Sequence, residues 1–270
     1  MRYDFIDAAR DLLRGIPGYP NLSLLELGCG DGNLLEKIQA DGTNVRGTTF
    51  RKQCDDYIRG REYPASLVVE EGVDLNLRLP YEDESFDVVY STEVIEHLEC
   101  HRMFVSEQAR VLRPGGWLVM TTPNVHRLLS RIHFALSGVH LIKAPVITSS
   151  SPLDRMEEFH HHCVDFVLLH WLLWQSGFRI DSIIPGYIHP LSRLLMVLSP
   201  IVRRQTRPAV NRYYPAADPL EESRRDLIRW MNSSVLLKAE HICVRASKVG
   251  SSVLTSQRQA SAQVDRAASS

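Results

Sequence analysis

The 270-residue chain is 44% hydrophobic and 23% charged with a formal net charge of −1, the balance of an ordinary globular protein long enough for one large domain with elaborations. No apolar run approaches the roughly 18 residues that span a bilayer, and residues 1–5 hold no apolar signal core, so a cytoplasmic protein is expected. Five cysteines, at 29, 54, 100, 163 and 243, are scattered without C-x-x-C spacing, which speaks against a disulfide framework or a zinc knuckle.

In chain order, residues 3–14 place Phe5, Ile6, Ala9, Leu12 and Leu13 at helical spacing before Gly15 and Pro17, a lead-in helix within residues 1–19. Strand-length apolar runs then alternate with helical stretches: a strand over 22–27, a helix to 40, a strand over 44–49, a short helix near 55–60, strands over 65–69 and 86–91, a helix over 101–112 and a strand over 117–122. That alternation predicts an α/β fold with a mostly parallel sheet covered by helices on both faces. Ligands in such sheets lie at the carboxyl ends of the strands. Beyond Pro123-Asn124, a pair expected to line the substrate mouth, come an amphipathic stretch over 126–136, a Ser/Pro loop over 148–152 and histidines 160–162, with His160 and His161 expected to be solvated. A very apolar helix over 166–175, a strand over 179–184 and an alternating last strand over 236–245 follow. The main domain is therefore 20–247, with lid insertions at about 124–162 and 186–234; the second holds an arginine-flanked apolar segment over 191–202 and a helix with a capping-box start at 218–221. Residues 248–270, rich in Ser, Ala, Gln and Arg, are expected to be disordered.

The most informative stretch is Leu24-Leu25-Glu26-Leu27-Gly28-Cys29-Gly30-Asp31-Gly32, where an apolar strand meets an acidic glycine turn and then a helix. Glycines allow a close backbone approach, and the helix start leaves N–H groups for a ligand. Dinucleotide folds space their glycines G-x-G-x-x-G for a pyrophosphate, whereas here the spacing is G-x-G-x-G and the flanking Glu26 and Asp31 would repel one. A ligand with an ammonium and sugar hydroxyls fits better, and S-adenosylmethionine has both.

With Phe86-Asp87-Val88-Val89 following in order, residues 22–184 resemble the class I S-adenosylmethionine-dependent methyltransferases. Asp74-Leu75-Asn76-Leu77-Arg78-Leu79-Pro80-Tyr81 and Arg110-Val111-Leu112-Arg113-Pro114-Gly115-Gly116 are similar to two further family segments. The resemblance implies a Rossmann-like seven-stranded, mostly parallel sheet with helices on both faces and the last strand antiparallel. It implies S-adenosylmethionine as cofactor, with Gly28, Cys29 and Gly30 beneath its methionine portion, Glu26 and Asp31 favouring its ammonium and hydroxyls, and Asp74 and Leu75 holding adenine. Thr92 is placed with these cofactor-binding residues. Family members commonly end the second strand with an acid on the ribose; this chain has Thr49 there.

Ser91-Thr92-Glu93-Val94-Ile95-Glu96-His97 puts Glu93, Glu96 and His97 at i, i+3 and i+4, one face of a helical turn. It resembles the E-x-x-E-H patch of the ubiquinone-biosynthesis O-methyltransferases and the small-RNA 2′-O-methyltransferases, in which a divalent ion such as Mg²⁺ is held with a downstream histidine; His162 is the match by distance. The implied metal set is Glu93, Glu96, His97 and His162. Without a metal, His97 is the general base and Glu93 or Glu96 its orienter.

No Asp or Glu occurs between Gln108 and Leu153 or between Ser182 and Ala217, while both windows carry arginines. Segment 191–202 is then either a lid packing its apolar face on the sheet or a contact with an anionic or membrane surface. The acceptor expected is a sugar, lipid-linked glycan or quinone-type hydroxyl. RNA ranks lower, because the basic residues are not interleaved with aromatics. A non-catalytic binding or scaffold protein is the rival from outside enzymology, and a dinucleotide oxidoreductase would bind NAD.

Overall fold

The computed structural model describes residues 3–50, 63–141, 160, 164–213 and 221–249. These hold seven strands: β1 (Ser23–Leu27), β2 (Asn44–Thr49), β3 (Val68–Glu71), β4 (Phe86–Thr92), β5 (Leu112–Pro123), β6 (Phe178–Pro185) and β7 (His241–Lys248). They form one sheet in the order β3-β2-β1-β4-β5-β7-β6. Pairings are parallel except those of β7, which slots between β5 and β6 and runs antiparallel to both. The sheet thus matches the expected architecture, and the carboxyl ends of β1, β2, β4 and β5 fall along one edge.

The helices are α1 (Phe5–Arg14), α2 (Asn33–Gln39), α3 (His101–Val111), α4 (Leu128–Ser137), α5 (Phe166–Gln175), α6 (Pro190–Leu194), α7 (Ser199–Tyr213), α8 (Glu221–Met231) and α9 (Ser234–Lys238). Strand alternation divides them between two layers. Leu24 of β1 points with Val88 and Tyr90 of β4 toward α1 and α2. Leu25 and Leu27 point the other way, toward Phe104 and Val105 of α3, Phe166 and Leu169 of α5 and Leu227 of α8. Each fully buried Leu or Phe contributes about 1.5–3 kcal/mol, so both layers are strongly held. The layer of α1 has a polar fastening too. Asp4 caps α1, and Arg10, Arg14 and Tyr19 all donate to Asp41 beyond α2. That company, Arg14 first, holds the Asp41 carboxyl well below the usual carboxylate range.

Several boundaries differ from expectation. The last strand begins at His241 rather than 236, because 234–238 are helical. Ser233 caps α9 by accepting from Leu236 N–H at 3.2 Å, and Asn124 Nδ2 donates to Leu236 O at 2.8 Å and Ala239 O at 2.9 Å. Asn124 is 3% exposed and also accepts from His126 N–H, so it tethers the start of one insertion to the end of the other and does not line a substrate mouth. The strand expected over 65–69 is displaced to Val68–Glu71, since Leu67 N–H turns back onto Pro64 O at 2.8 Å. The 55–60 helix, the 148–152 loop, the 218–220 start of α8 and residues 250–270 lie outside the described residues.

Asn124→Ala orphans two buried carbonyls and one N–H, so it is expected to lower the urea-unfolding free energy by about 1–3 kcal/mol. A midpoint unchanged from the parent protein overturns the tethering role.

Candidate active site

After Leu27 the chain reverses over Gly28–Gly32 before entering α2. Gly28 and Gly30 have φ of +72° and +54°, the left-handed region that L side chains rarely adopt. The end of β2 fastens this turn: Thr48 Oγ1 accepts from Gly28 N–H at 3.2 Å and Thr48 O from Cys29 N–H at 2.8 Å. A Cβ on Gly28 would lie 2.7 Å from Val94 Cγ2, so the turn is pressed onto the segment that follows β4. Among the described residues, a Cβ on Gly30 would meet nothing within 4 Å. The backbone there faces open space, as a ligand lying along the turn requires. Behind it, Tyr63 OH donates to Gly30 O at 2.6 Å and lies 3.7 Å from Cys29 Sγ. No spacing in the sequence marks Tyr63 for this role.

Glu26 is 1% exposed and accepts from Tyr90 OH at 3.0 Å. Burial pushes its carboxyl up to about 8; one neutral donor does not replace the lost hydration. Asp31 is exposed and accepts from Asn33 N–H at the start of α2. Asp74 Oδ1 accepts from Asn76 N–H and Nδ2, while Asn76 Oδ1 accepts from Glu99 and Cys100 N–H, clipping that loop to the start of α3. Leu75 is buried, with Cδ1 3.8 Å from where a Gly28 Cβ would stand. Thr49, buried at the end of β2, is hydrogen-bonded to Tyr63, and β3 brings Glu71 level with it. The residues expected to bind a cofactor therefore gather at one edge.

The acid–histidine patch lies beside them but not as one helical face. Glu93 takes a left-handed conformation, φ +53°, directly after Thr92, and only Ile95–His97 form a short 3-10 turn. Glu93 N–H donates to Thr121 O and Oγ1, and the same hydroxyl donates to Glu93 Oε1 at 2.8 Å. His241 Nε2, at the start of β7, is 3.2 Å from Glu93 Oε2. Glu96 is 1% exposed, accepts from Thr122 Oγ1 at 3.2 Å and hydrogen-bonds Glu93. Burial raises both carboxyls, and Glu96 raises Glu93 further, so the pair retains a proton.

His160 is 7% exposed rather than solvated. Its ring meets that of His97 edge-on at 4.7 Å, and its Nε2 is 4.0 Å from Glu96 Oε1. Burial, with His97 and His241 nearby, lowers it to about 4, so it is a neutral imidazole at pH 7. Among the described residues, Glu96, His97 and His160 can bring ligand atoms within 4.8 Å of one another. Glu93 is not in that group, since its carboxyl is engaged by Thr121 and His241, and His162 lies outside the described residues. The sequence expectation thus gains His160, and it had no means of finding Thr121 or His241, which are distant in the chain.

Because the folded protein holds the Glu26 proton up to about pH 8 and the unfolded chain releases it near pH 4, the Glu26 contribution to stability is full below the ordinary carboxylate range and is lost as pH rises through about 8. Glu26→Gln removes that dependence. The expected result is that the parent protein loses urea stability relative to Glu26→Gln between about pH 5 and about pH 8; parallel pH profiles overturn the raised pKa.

A family model described as "Methyltransferase domain" matches residues 25–120. A Mycolicibacterium smegmatis protein named "Probable S-adenosylmethionine-dependent methyltransferase" is 41% identical over 102 residues, 37% of this chain and 38% of its own. A ubiquinone biosynthesis O-methyltransferase of Bartonella tribocorum is 28% identical over 124 residues, 46% of this chain and 49% of its own. The chain thus spans less than half the length of these relatives. A solved S-adenosylmethionine-dependent methyltransferase from Archaeoglobus fulgidus shares the fold at a TM-score of 0.51 and 21% identity, covering 89% of this chain and 93% of that one. Residues 25–120 are thus similar to a methyltransferase domain, and the sheet with its helices shares the fold of a solved S-adenosylmethionine-dependent methyltransferase.

Proposed function

We propose that this protein transfers a methyl group from S-adenosylmethionine to a hydroxyl of a sugar, a lipid-linked glycan or a quinone-type ring. The observation that carries the proposal is the opening over Gly30 beside the Glu96–His97–His160 cluster, both at the carboxyl edge of the sheet. Glu26 supports it, since a carboxyl held near 8 with one neutral partner suits an ammonium. Gly28, Cys29 and Gly30 would carry the methionine portion, Glu26 and Asp31 the ammonium and hydroxyls, Asp74 and Leu75 the adenine, and Thr49 and Thr92 the remaining edge. Bound S-adenosylmethionine supplies an electrophilic methyl group on sulfur. The chain's own work is then to align the acceptor oxygen and receive its proton. His97, in the turn beyond β4, is the base, and Glu93, held by Thr121, is its orienter.

The donor set also fits a divalent cation. A neutral imidazole at His160 and two carboxyls sharing a proton leave negative charge that a cation would relieve, with Glu96, His97 and His160 as ligands. Such an ion would supply acidification of a bound hydroxyl. The resemblance of Glu93–His97 to the E-x-x-E-H patch of the ubiquinone-biosynthesis O-methyltransferases supports the same choice. Thr49 in place of an acid motivates the competing scaffold reading, and binding separates the two.

Gly30→Ala places a methyl group where no atom of the described residues stands within 4 Å, so in a folded protein with parental circular dichroism S-adenosylmethionine affinity is expected to fall at least tenfold, about 1.4 kcal/mol, by calorimetry. Unchanged affinity, or binding of NAD instead, overturns the proposal.

For the metal, chelator is expected to abolish turnover, added Mg²⁺ or Mn²⁺ to restore it, and Glu96→Gln and His160→Ala to fail alike, because ligands act as a unit. Full turnover in chelator, with His97→Ala inactive, discards the ion and leaves His97 as the base.

A further inference from the structure

Parts of the two insertions meet on the surface with an inverted pattern. Along 190–206, Ser192, Ser199 and Thr206 are buried, while Leu194 is 71% exposed, Val197 75% and Ile201 64%. An amphipathic helix on a water-facing surface does the opposite. The adjoining α4 packs beside α6 and the 3-10 turn Leu195–Leu198, and it adds Phe134 at 46% and Leu136 at 85% exposure. A lid packing its apolar face on the sheet would hide these side chains, so the exposure decides against that expectation.

Charge says what covers the patch. Arg193 lies within it and Arg203 and Arg204 follow its far end, all three exposed. No Asp or Glu occurs from 109 to 153 or from 183 to 217. An apolar face with an exposed arginine rim is complementary to an anionic bilayer, whose headgroups meet the arginines while the acyl region takes the leucines. Its position fits as well. β6 runs antiparallel to β7, and β7 antiparallel to β5, so β5 and β6 point the same way, and α4 and α6, which follow them, leave the sheet at the edge that carries Glu93, Glu96 and His97.

We infer that the surface formed by α4, α6 and the start of α7 docks on an anionic lipid bilayer, so that the protein works at the membrane surface on an acceptor whose apolar part stays in the lipid. This rests on the lipid-linked member of the acceptor class proposed above and selects it over soluble sugars.

The test is cosedimentation of the full chain with vesicles of phosphatidylcholine alone or with about a third phosphatidylglycerol, at about 0.05 M and about 0.5 M salt. The expected result is binding to the anionic vesicles at low salt, reduced severalfold at high salt and tenfold or more by Arg203→Glu with Arg204→Glu. Leu194→Ser with Val197→Ser, changes at exposed positions, is expected to weaken binding at both salt concentrations. No binding at low salt, or binding indifferent to both double variants, overturns the inference. So does a concentration-dependent dimer, split by Leu194→Ser with Val197→Ser in light scattering, which would assign the patch to a second copy of the chain. Calorimetry with S-adenosylmethionine on the same variants keeps the outcomes distinct: retained cofactor binding with lost vesicle binding is the expected combination, and lost vesicle binding alone leaves the proposed methyl transfer standing.

Discussion

The left-handed turn at Glu93 is the constraint on which the candidate site depends. A non-glycine residue at positive φ costs about 1–3 kcal/mol, and the cost is met locally by Thr121, which takes the Glu93 N–H on its carbonyl and hydroxyl and returns a hydrogen bond to the carboxylate. An ordinary helical continuation from β4 would carry Glu93, Glu96 and His97 outward on one face. The kink instead lays Glu96 against Thr122 and turns His97 toward His160. It also sends Val94 against Gly28, so the glycine turn and the acid–histidine patch share a wall.

That wall couples two electrostatic problems. Glu26 on one side and the Glu93–Glu96 pair on the other are carboxyls withdrawn from water and met by hydroxyl donors, Tyr90 for the first, Thr121 and Thr122 for the others, with His241 also beside Glu93. Hydroxyl donors stabilise a buried carboxylate only in part, which is why all three are shifted upward. Three acids kept in this condition would be relieved by positive charge brought in from outside.

How much of this could be read from the chain depends on the range of the interaction. Glycine turn and strand runs are local, and the mostly parallel sheet followed from them, while its antiparallel last strand was implied by the family resemblance. The apolar character of 236–238 suggested strand, yet Asn124, more than a hundred residues earlier, holds those residues helical. His160 could not be told from its neighbours, since its burial comes from the ring of His97 and the carboxyl of Glu96. Hydrophobicity marked 191–202 as an arginine-flanked apolar segment, but only packing reveals that its serines face in while several of its apolar side chains face out.

The insertion of β7 between β5 and β6 has a consequence for assembly on the ribosome. β6 has no neighbour in the sheet except β7, and β5 has only β4 on its other side, so when residue 185 emerges the sheet still carries two open edges. Closure waits for the segment 241–248, which must enter between two strands already synthesised. It then ties back to the first helix through Arg245 donating to Gly15 O and the Phe5 ring tilted against that of His241 at 5.2 Å. The first and last elements of the fold are thus completed in the same event. The β5 edge stands open to pairing with another chain while both insertions are translated, and β6 while the second is.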